Sequence, residues 1–320
     1  MAGLRILVTG SDGLIGRALR QVLARQGIAT SGLDPRSESA SERGDVCSQT
    51  DLARALDGVT GIVHLGAVSR VIDAERDPAL CRRVNEEGTR TVLAAALAVA
   101  KRPWVIYGSS REVYGQQDRL PVREDVALRP KNVYARSKVA AEQLMDQART
   151  AGLATAILRF SNVYGDVRDH ADRVIPAFAR AAAAGGVVRV DGAACTFDFT
   201  HVADVADAIG RVVQQLVAGE RTMPPIHLCT GRELSLGALA DLAIARGVPG
   251  VHRIEAPERT FDVHRFAGDP ARAEALLGWR AQIALETGFT RLVAAYRTQH
   301  GTAAPEATAQ KDGPRPSSTG

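Results

Sequence analysis

Several things are scarce in this sequence, and each scarcity excludes something. No uninterrupted apolar stretch reaches the roughly 20 residues that a membrane-spanning helix needs. The apolar opening at 4–9 is too short for a secretory leader and stops at a turn rather than at a cleavage-like site. Both observations point to a cytoplasmic protein with no membrane partner. Cysteine is limited to Cys47, Cys81, Cys195 and Cys229. They are far apart and show no CxxC or Cys/His ligand spacing, which predicts reduced thiols, no disulfides and no metal. Charge of one sign is also lacking. The net charge is only +4, the basic residues are scattered, and the few aromatics (4%) hardly interleave with them. Nucleic acid is therefore not an expected partner, although a basic pocket for a small anion remains compatible.

What is present is a long alternation. The 320 residues suffice for one large α/β domain and a smaller appended region. Runs at 4–9, 28–34, 61–67, 104–108 and 154–162 read as buried strands. Helical spacing appears between them, first in Leu14, Ile15, Leu19, Val22 and Leu23 and again around 85–100. Such alternation predicts a doubly wound, Rossmann-like parallel sheet with helices on both faces. Beyond about 165 the pattern loosens into helices at 172–184, 202–217, 236–246 and 270–277 and short strands at 187–191 and 226–229. We expect a cofactor domain at 1–165, a mainly substrate-binding α/β region at 166–300 with some elements returning to the main domain, and a disordered tail at 301–320, which is small, polar and proline-bearing.

The first strand ends in Gly10, followed by Asp12, Gly13, Leu14, Ile15 and Gly16. A glycine turn between strand and helix suits a dinucleotide. The first glycine allows the turn, the second lets backbone approach a pyrophosphate, and the third lets helix and strand pack closely. The helix start offers free N–H groups and a positive dipole end. The spacing is GxxGxxG, one residue longer than the commonest fingerprint. Asp34 ends the second strand, where a carboxylate accepts hydrogen bonds from the ribose hydroxyls and repels a 2′-phosphate. That favours NAD over NADP, with Arg36 nearby to soften the preference. Asp45 and Val46 fall where an adenine-edge contact is expected.

Further on, Tyr134 and Lys138 follow Pro130 and Asn132 at a helix start. Their i,i+4 spacing puts them on one face. A tyrosine serves as a general base when its phenolate is stabilised, and an ammonium beside it does so.

With these residues the chain resembles the extended short-chain dehydrogenase/reductases, specifically the NAD-dependent nucleotide-sugar epimerases and dehydratases. The resemblance spans roughly 4–295. It includes His64, Leu65, Gly66 and Ala67 as the third cofactor strand, Val84, Asn85, Gly88 and Thr89 as a VNxxGT helix, and Ser109 to Gly115 as the active-site strand end. The segment 158–165 and the DF(T/I)xV-like run from Phe197 to Val202 complete it. It implies cofactor contacts at Leu65, Gly66, Ala67 and Asn85. It also implies that Ser110 bonds the sugar O4, Tyr134 takes its proton, Lys138 holds the nicotinamide ribose, and C4 is oxidised by NAD. Asn162 and the region of Val174 would contact the nucleotide diphosphate, and Arg259 would bind phosphate, since a guanidinium matches phosphate geometry. A homodimer through helices at 91–100 and 137–148 is implied as well.

The step after C4 oxidation is left open by the sequence. A UDP-hexose 4-epimerase returns the hydride to the other face. Glu112 stands where dehydratases of the family carry a base, and where UDP-glucuronate decarboxylases have glutamate. Arg111 stands where many 4,6-dehydratases have an acidic proton donor, and arginine has no readily transferable proton. Glu112 reads equally as a structural carboxylate paired with Arg111. A catalytically idle NAD-sensing protein is a further alternative, disfavoured by the retained Tyr134 and Lys138. Two departures concern substrate. Phe197 replaces an arginine that binds the diphosphate in many relatives, with Arg211, Arg253 or Arg265 as possible substitutes. Asp166 follows Gly165 where proline is frequent.

Overall fold

The computed structural model describes residues 3–259, 263–299 and 301. The expected tail lies outside the described residues apart from Gly301. Ile6, Leu7 and Val8 form the middle of β1 (Arg5–Thr9) and are fully buried. They are apolar in succession because β1 pairs in parallel on both sides, with β2 (Ala29–Leu33) and β3 (Gly61–His64), and is covered on both faces. Between and after these strands come α1 (Leu14–Arg25), α2 (Gln49–Ala55), α3 (Val71–Arg76), α4 (Pro78–Arg82) and α5 (Gly88–Ala98). Then follow β4 (Trp104–Ser110), α6 (Val133–Thr150) and β5 (Thr155–Phe160).

The second half contains β6 (Asn162–Tyr164), α7 (Val174–Ala184), β7 (Val187–Asp191), β8 (Thr196–Phe197), β9 (Phe199–His201) and α8 (Val202–Val217). It continues with β10 (Ile226–Leu228), β11 (Leu234–Ser235), α9 (Leu236–Ala245), β12 (His252–Ala256), α10 (Ala271–Leu277) and α11 (Leu285–Gln299). The main sheet is parallel, in the order β10-β5-β4-β3-β1-β2. β10 is a late strand that returns to this sheet, as the short run at 226–229 suggests.

Side-chain alternation divides the core. Ile6 and Val8 pack with Leu19, Ile209 and Trp279 on one face, and Leu7 packs with Val92 and Met145 on the other. A third cluster joins Phe178 and Ala182 to Val188, Leu239, Phe289 and Val293, and so unites α7, β7, α9 and α11. No helix among the described residues is long and apolar enough to cross a membrane. The four cysteines form no disulfides.

Two expected elements differ in detail. The run at 154–162 is two strands rather than one, because Ser161 and Asn162 turn away from the sheet to bond Asp198: the Ser161 hydroxyl donates to its carbonyl, and the Asn162 N–H does so at 3.1 Å. β6 then pairs with β9, carrying the chain into the second region. The helix expected around 85–100 opens instead with a π-helical turn, Arg83–Glu87. Such turns are wider than an α-turn and recur at functional sites. This one lets the buried Asn85 side chain reach Val68 and Ser137.

Candidate active site

The glycine turn sits between β1 and α1, at the point where the sheet order reverses. Gly10 has φ +67°, and a Cβ there would lie 2.9 Å from the backbone of Leu65 and Gly66. A Cβ on Gly16 would lie 2.3 Å from the Gly10 carbonyl oxygen. Both positions therefore require glycine, one for conformation and both for space. α1 starts with no side-chain cap and no acidic residue in its first turn, which leaves its N–H groups for an anion.

Around the turn lies a cavity of about 1510 Å³. Pockets for one drug-sized ligand run to roughly 1,000 Å³, so this one has room for more than a single such molecule. Gly10, Asp12, Gly13, Leu14, Ile15, Gly16, Asp34, Asp45, Val46, Leu65, Gly66 and Ala67 all line it. Asp34 is buried. One carboxylate oxygen accepts the Asp12 N–H at 3.1 Å, and the other accepts the Arg36 N–H at 2.9 Å and its Nε at 3.2 Å. These residues fit NAD: a glycine turn at a helix start whose N–H groups have no side-chain cap, and a buried carboxylate at the end of the neighbouring strand. Asn85 differs from expectation. It is not part of the cavity wall, and its amide clamps the 68 backbone to Ser137 of α6, so it positions the cofactor loop from behind.

Ser110, Glu112, Tyr134 and Lys138 all line this cavity. Ser110 ends β4, and Asn132 caps α6 by accepting the Ala135 N–H at 2.8 Å, which fixes where Tyr134 and Lys138 emerge. The Tyr134 hydroxyl is hydrogen-bonded to Ser110. Burial pushes its pKa up to about 12, with that bond opposing the rise. The Lys138 ammonium donates to the Gly108 carbonyl at 2.8 Å and lies 5.7 Å from the centre of the Tyr134 ring.

Burial lowers the Lys138 pKa from 10.5 to about 8. Between those values the unfolded chain holds the proton and the folded chain does not, so this group makes stability rise with pH across that window. At pH 7 the buried charge is a penalty of about 3 kcal/mol, from 1.36 kcal/mol per pH unit. Lys138→Met is therefore expected to lose turnover yet melt at a higher Tm than wild type at pH 7, with the gap closing towards pH 10. A lower Tm at pH 7 would mean that the Gly108 bond outweighs the burial.

Glu112 is not free. Arg111 holds one of its oxygens at 2.7 Å, and the Asn132 amide donates to the other at 3.0 Å. Arg111 also donates to Asn162 at 2.7 Å, and its guanidinium lies over Phe197 at 4.9 Å and Phe266 at 5.4 Å. Phe197 is thus a platform for Arg111 rather than a ligand for anions. Sequence reasoning weighed the Arg111–Glu112 pair but missed Asn132 as its second clamp. The Asn at a helix start was the available signal.

At the substrate end, Asn162, Val174 and Arg259 line the same cavity, and Arg259 is paired with Asp191 at 3.0 Å. Arg211, Arg253 and Arg265 are not in its wall and pair with Asp207, Asp241 and Glu233. None of the three replaces the arginine absent at Phe197. Arg173, which sequence reasoning did not single out, lines the cavity and acts on Tyr134 through its charge.

A dinucleotide turn at the head of a doubly wound sheet, with Ser, Tyr and Lys converging beside it, defines an enzyme of the extended short-chain dehydrogenase/reductase class. Comparison with known proteins narrows this. The model of the NAD dependent epimerase/dehydratase family matches residues 6–223, and the chain belongs to that family. It is 31% identical over 316 residues to the UDP-glucose 4-epimerase of Mycolicibacterium smegmatis, covering 92% of this chain and 99% of the relative. Among solved structures it is similar to MoeE5 in complex with UDP-glucuronic acid and NAD (27% identity, TM-score 0.82, 92% of this chain and 99% of that one). It is equally similar to DesIV, a dTDP-glucose 4,6-dehydratase from Streptomyces venezuelae with NAD and TYD bound (29%, TM-score 0.82, 93% and 98%). The chain is an NAD-dependent enzyme of the epimerase/dehydratase type, and NAD is its cofactor.

Proposed function

We propose that this enzyme is a UDP-hexose 4-epimerase. The observation that carries the reading is that both oxygens of Glu112 are held, by Arg111 and Asn132, while Ser110, Tyr134 and Lys138 are assembled on the open cavity. With an arginine on one oxygen and an amide on the other, that carboxylate is held by the protein rather than presented free to the substrate. Ser110 bonds the sugar O4 hydroxyl and Tyr134 takes its proton. Tyr134 acts as its phenolate and becomes a phenol on taking that proton, and Lys138 compensates the phenolate's charge beforehand. NAD, when bound, supplies the two-electron oxidant at C4 and is regenerated within the cycle. Asn162, Val174 and Arg259 hold the nucleotide diphosphate. The similarity to the UDP-glucose 4-epimerase of Mycolicibacterium smegmatis supports a UDP-sugar.

Residues 1–165 would carry the cofactor and 166–300 mainly the substrate. The enzyme would act in the cytoplasm as a homodimer, with exposed positions within 91–100 and 137–148 such as Ala94 and Gln143 at the contact. Light scattering at micromolar concentration checks the dimer.

The second reading is elimination with Glu112 as base, favoured only by its place two residues after Ser110 in the cavity wall. Product masses from a panel of UDP-, dTDP-, GDP- and CDP-sugars separate the two. Epimerisation leaves mass unchanged, dehydration removes water, and decarboxylation of a uronate removes carbon dioxide. Glu112→Gln is expected to keep at least a tenth of the isomerising rate, since general acid–base groups contribute about 10²–10⁴-fold. Loss of water or carbon dioxide as the main outcome, abolished in that variant, would replace epimerase by lyase.

A further inference from the structure

Cys195, Glu258 and His264 are separated by 63 and 6 residues, so no ligand spacing is visible in the chain. In the fold they meet. The Cys195 Sγ lies 3.6 Å from a Glu258 carboxylate oxygen and 3.8 Å from His264 Nδ1, and the same two Glu258 and His264 atoms are 2.9 Å apart. All three side chains line the large cavity. Around a tetrahedral zinc, with Zn–S of about 2.3 Å and Zn–N or Zn–O of about 2.0 Å, ligand atoms stand about 3.3–3.5 Å apart. The two sulfur distances already match within a few tenths of an ångström, and the His264–Glu258 pair has only to open slightly.

The backbone holds this trio in advance of any ion. Gly192, at φ +78°, makes the turn that delivers Cys195, and the Cys195 N–H closes it on the Gly192 carbonyl at 2.9 Å. A Cβ on Gly192 would stand 2.8 Å from the Cys195 sulfur and 2.8 Å from the Glu258 Cβ, so the turn leaves room for those two side chains and nothing else. β12 pairs with β7 up to Ala256 and Asp191, two residues short of Glu258. His264 is pinned by its carbonyl, which accepts the Thr196 N–H at 2.9 Å, and by its N–H, which donates to Gln116 at 3.0 Å. The three ligands thus come from three segments tied to one another by backbone hydrogen bonds.

We propose that Cys195, Glu258 and His264 bind a divalent ion of the zinc class, with the fourth coordination position open to the cavity. A thiolate, an imidazole and a carboxylate form the mixed soft and borderline donor set that selects such an ion over magnesium or calcium. Binding releases the thiol proton and takes up a dication, a net gain of one positive charge. That gain falls on the cavity wall, where all three ligands stand. Cys195 and Phe197 lie two residues apart and both line the cavity, and Phe197 is the position where the resemblance leads one to expect an arginine. The open position then accepts a phosphate oxygen of the nucleotide sugar. This last step rests on the proposed function, whereas the metal site does not.

The test uses the NAD-loaded protein, stripped of metal by a chelator and dialysed. Zinc alone is expected to bind at one ion per chain, with at least 100-fold weaker binding in Cys195→Ser and in His264→Gln. Cobalt should give a thiolate charge-transfer band that Cys195→Ser removes. Circular dichroism and retained NAD establish that the variants are folded. No stoichiometric zinc binding, or binding unchanged in both variants, overturns the site. UDP affinity is then measured with and without zinc. A gain of tenfold or more in wild type, absent in Cys195→Ser, supports the phosphate contact. Zinc binding that leaves UDP affinity unchanged refutes that contact and keeps the metal site. Failure to bind UDP under either condition refutes the proposed substrate without touching the metal result.

Discussion

Tyr134→Phe is expected to lower kcat by about 10²–10⁴-fold, equivalent to about 3–5 kcal/mol, and to leave NAD bound. The variant removes one hydroxyl and no apolar contact. Tyr134 is buried and hydrogen-bonded to Ser110, so the loss is confined to the proton acceptor. With its pKa pushed up to about 12, the side chain is a phenol at neutral pH. Further positive charge beside it, from a loaded cofactor, favours the phenolate. The near-ultraviolet phenolate signal should therefore titrate at lower pH in NAD-loaded than in stripped protein, and the difference should vanish in Tyr134→Phe. Full turnover in that variant would sink the assignment. Loss of NAD together with turnover would instead make Tyr134 a cofactor-binding residue first.

Legibility differed sharply between local and long-range features. The apolar runs of β1, β3 and β4 are buried on both faces, so their strand character is written in consecutive residues. Gly16 is likewise local, since it answers to Gly10 and Ser11, whereas the space limit on Gly10 comes from Leu65 and Gly66 far along the chain. Tyr134 and Lys138 share one helical turn. By contrast, the break at Ser161 depends on Asp198, and nothing in the run at 154–162 signals it. Asn85 fitted a cofactor contact by motif, but the π-turn at Arg83–Glu87 aims its amide at Val68 and Ser137. The state of Glu112 depends on Asn132, 20 residues later, and the Cys195 cluster on partners more than 60 residues away. Spacing in a sequence reports neighbours within an element. It is silent about side chains that loops bring together.

The second large effect is one of stability. Arg159→Met is expected to destabilise the fold by about 3–5 kcal/mol, because it strands a buried carboxylate. Arg159 on β5 and Glu142 on α6 are both nearly inaccessible, and their side chains meet at 2.6 and 2.9 Å. Burial works against the guanidinium charge, but the bonds to Glu142 more than offset it and raise the Arg159 pKa. The same guanidinium donates to the Tyr114 hydroxyl at 2.6 Å and the Glu124 carbonyl at 3.0 Å, while Ser109 donates to Glu142 at 2.5 Å. Against a total stability of about 5–15 kcal/mol, this single change removes a large share. Urea unfolding at pH 7 measures it, and a loss below about 1 kcal/mol would show that water reaches the stranded carboxylate. The double variant Arg159→Met, Glu142→Leu should recover much of the stability, since an apolar pair in place of a buried ion pair is often neutral or better. It should not recover full activity. Ser109 and Tyr114 bracket the segment that presents Ser110 and Glu112, and both would have lost their charged anchors. If stability returns while kcat stays low, the buried pair serves to fix the position of Ser110 more than to hold the fold together.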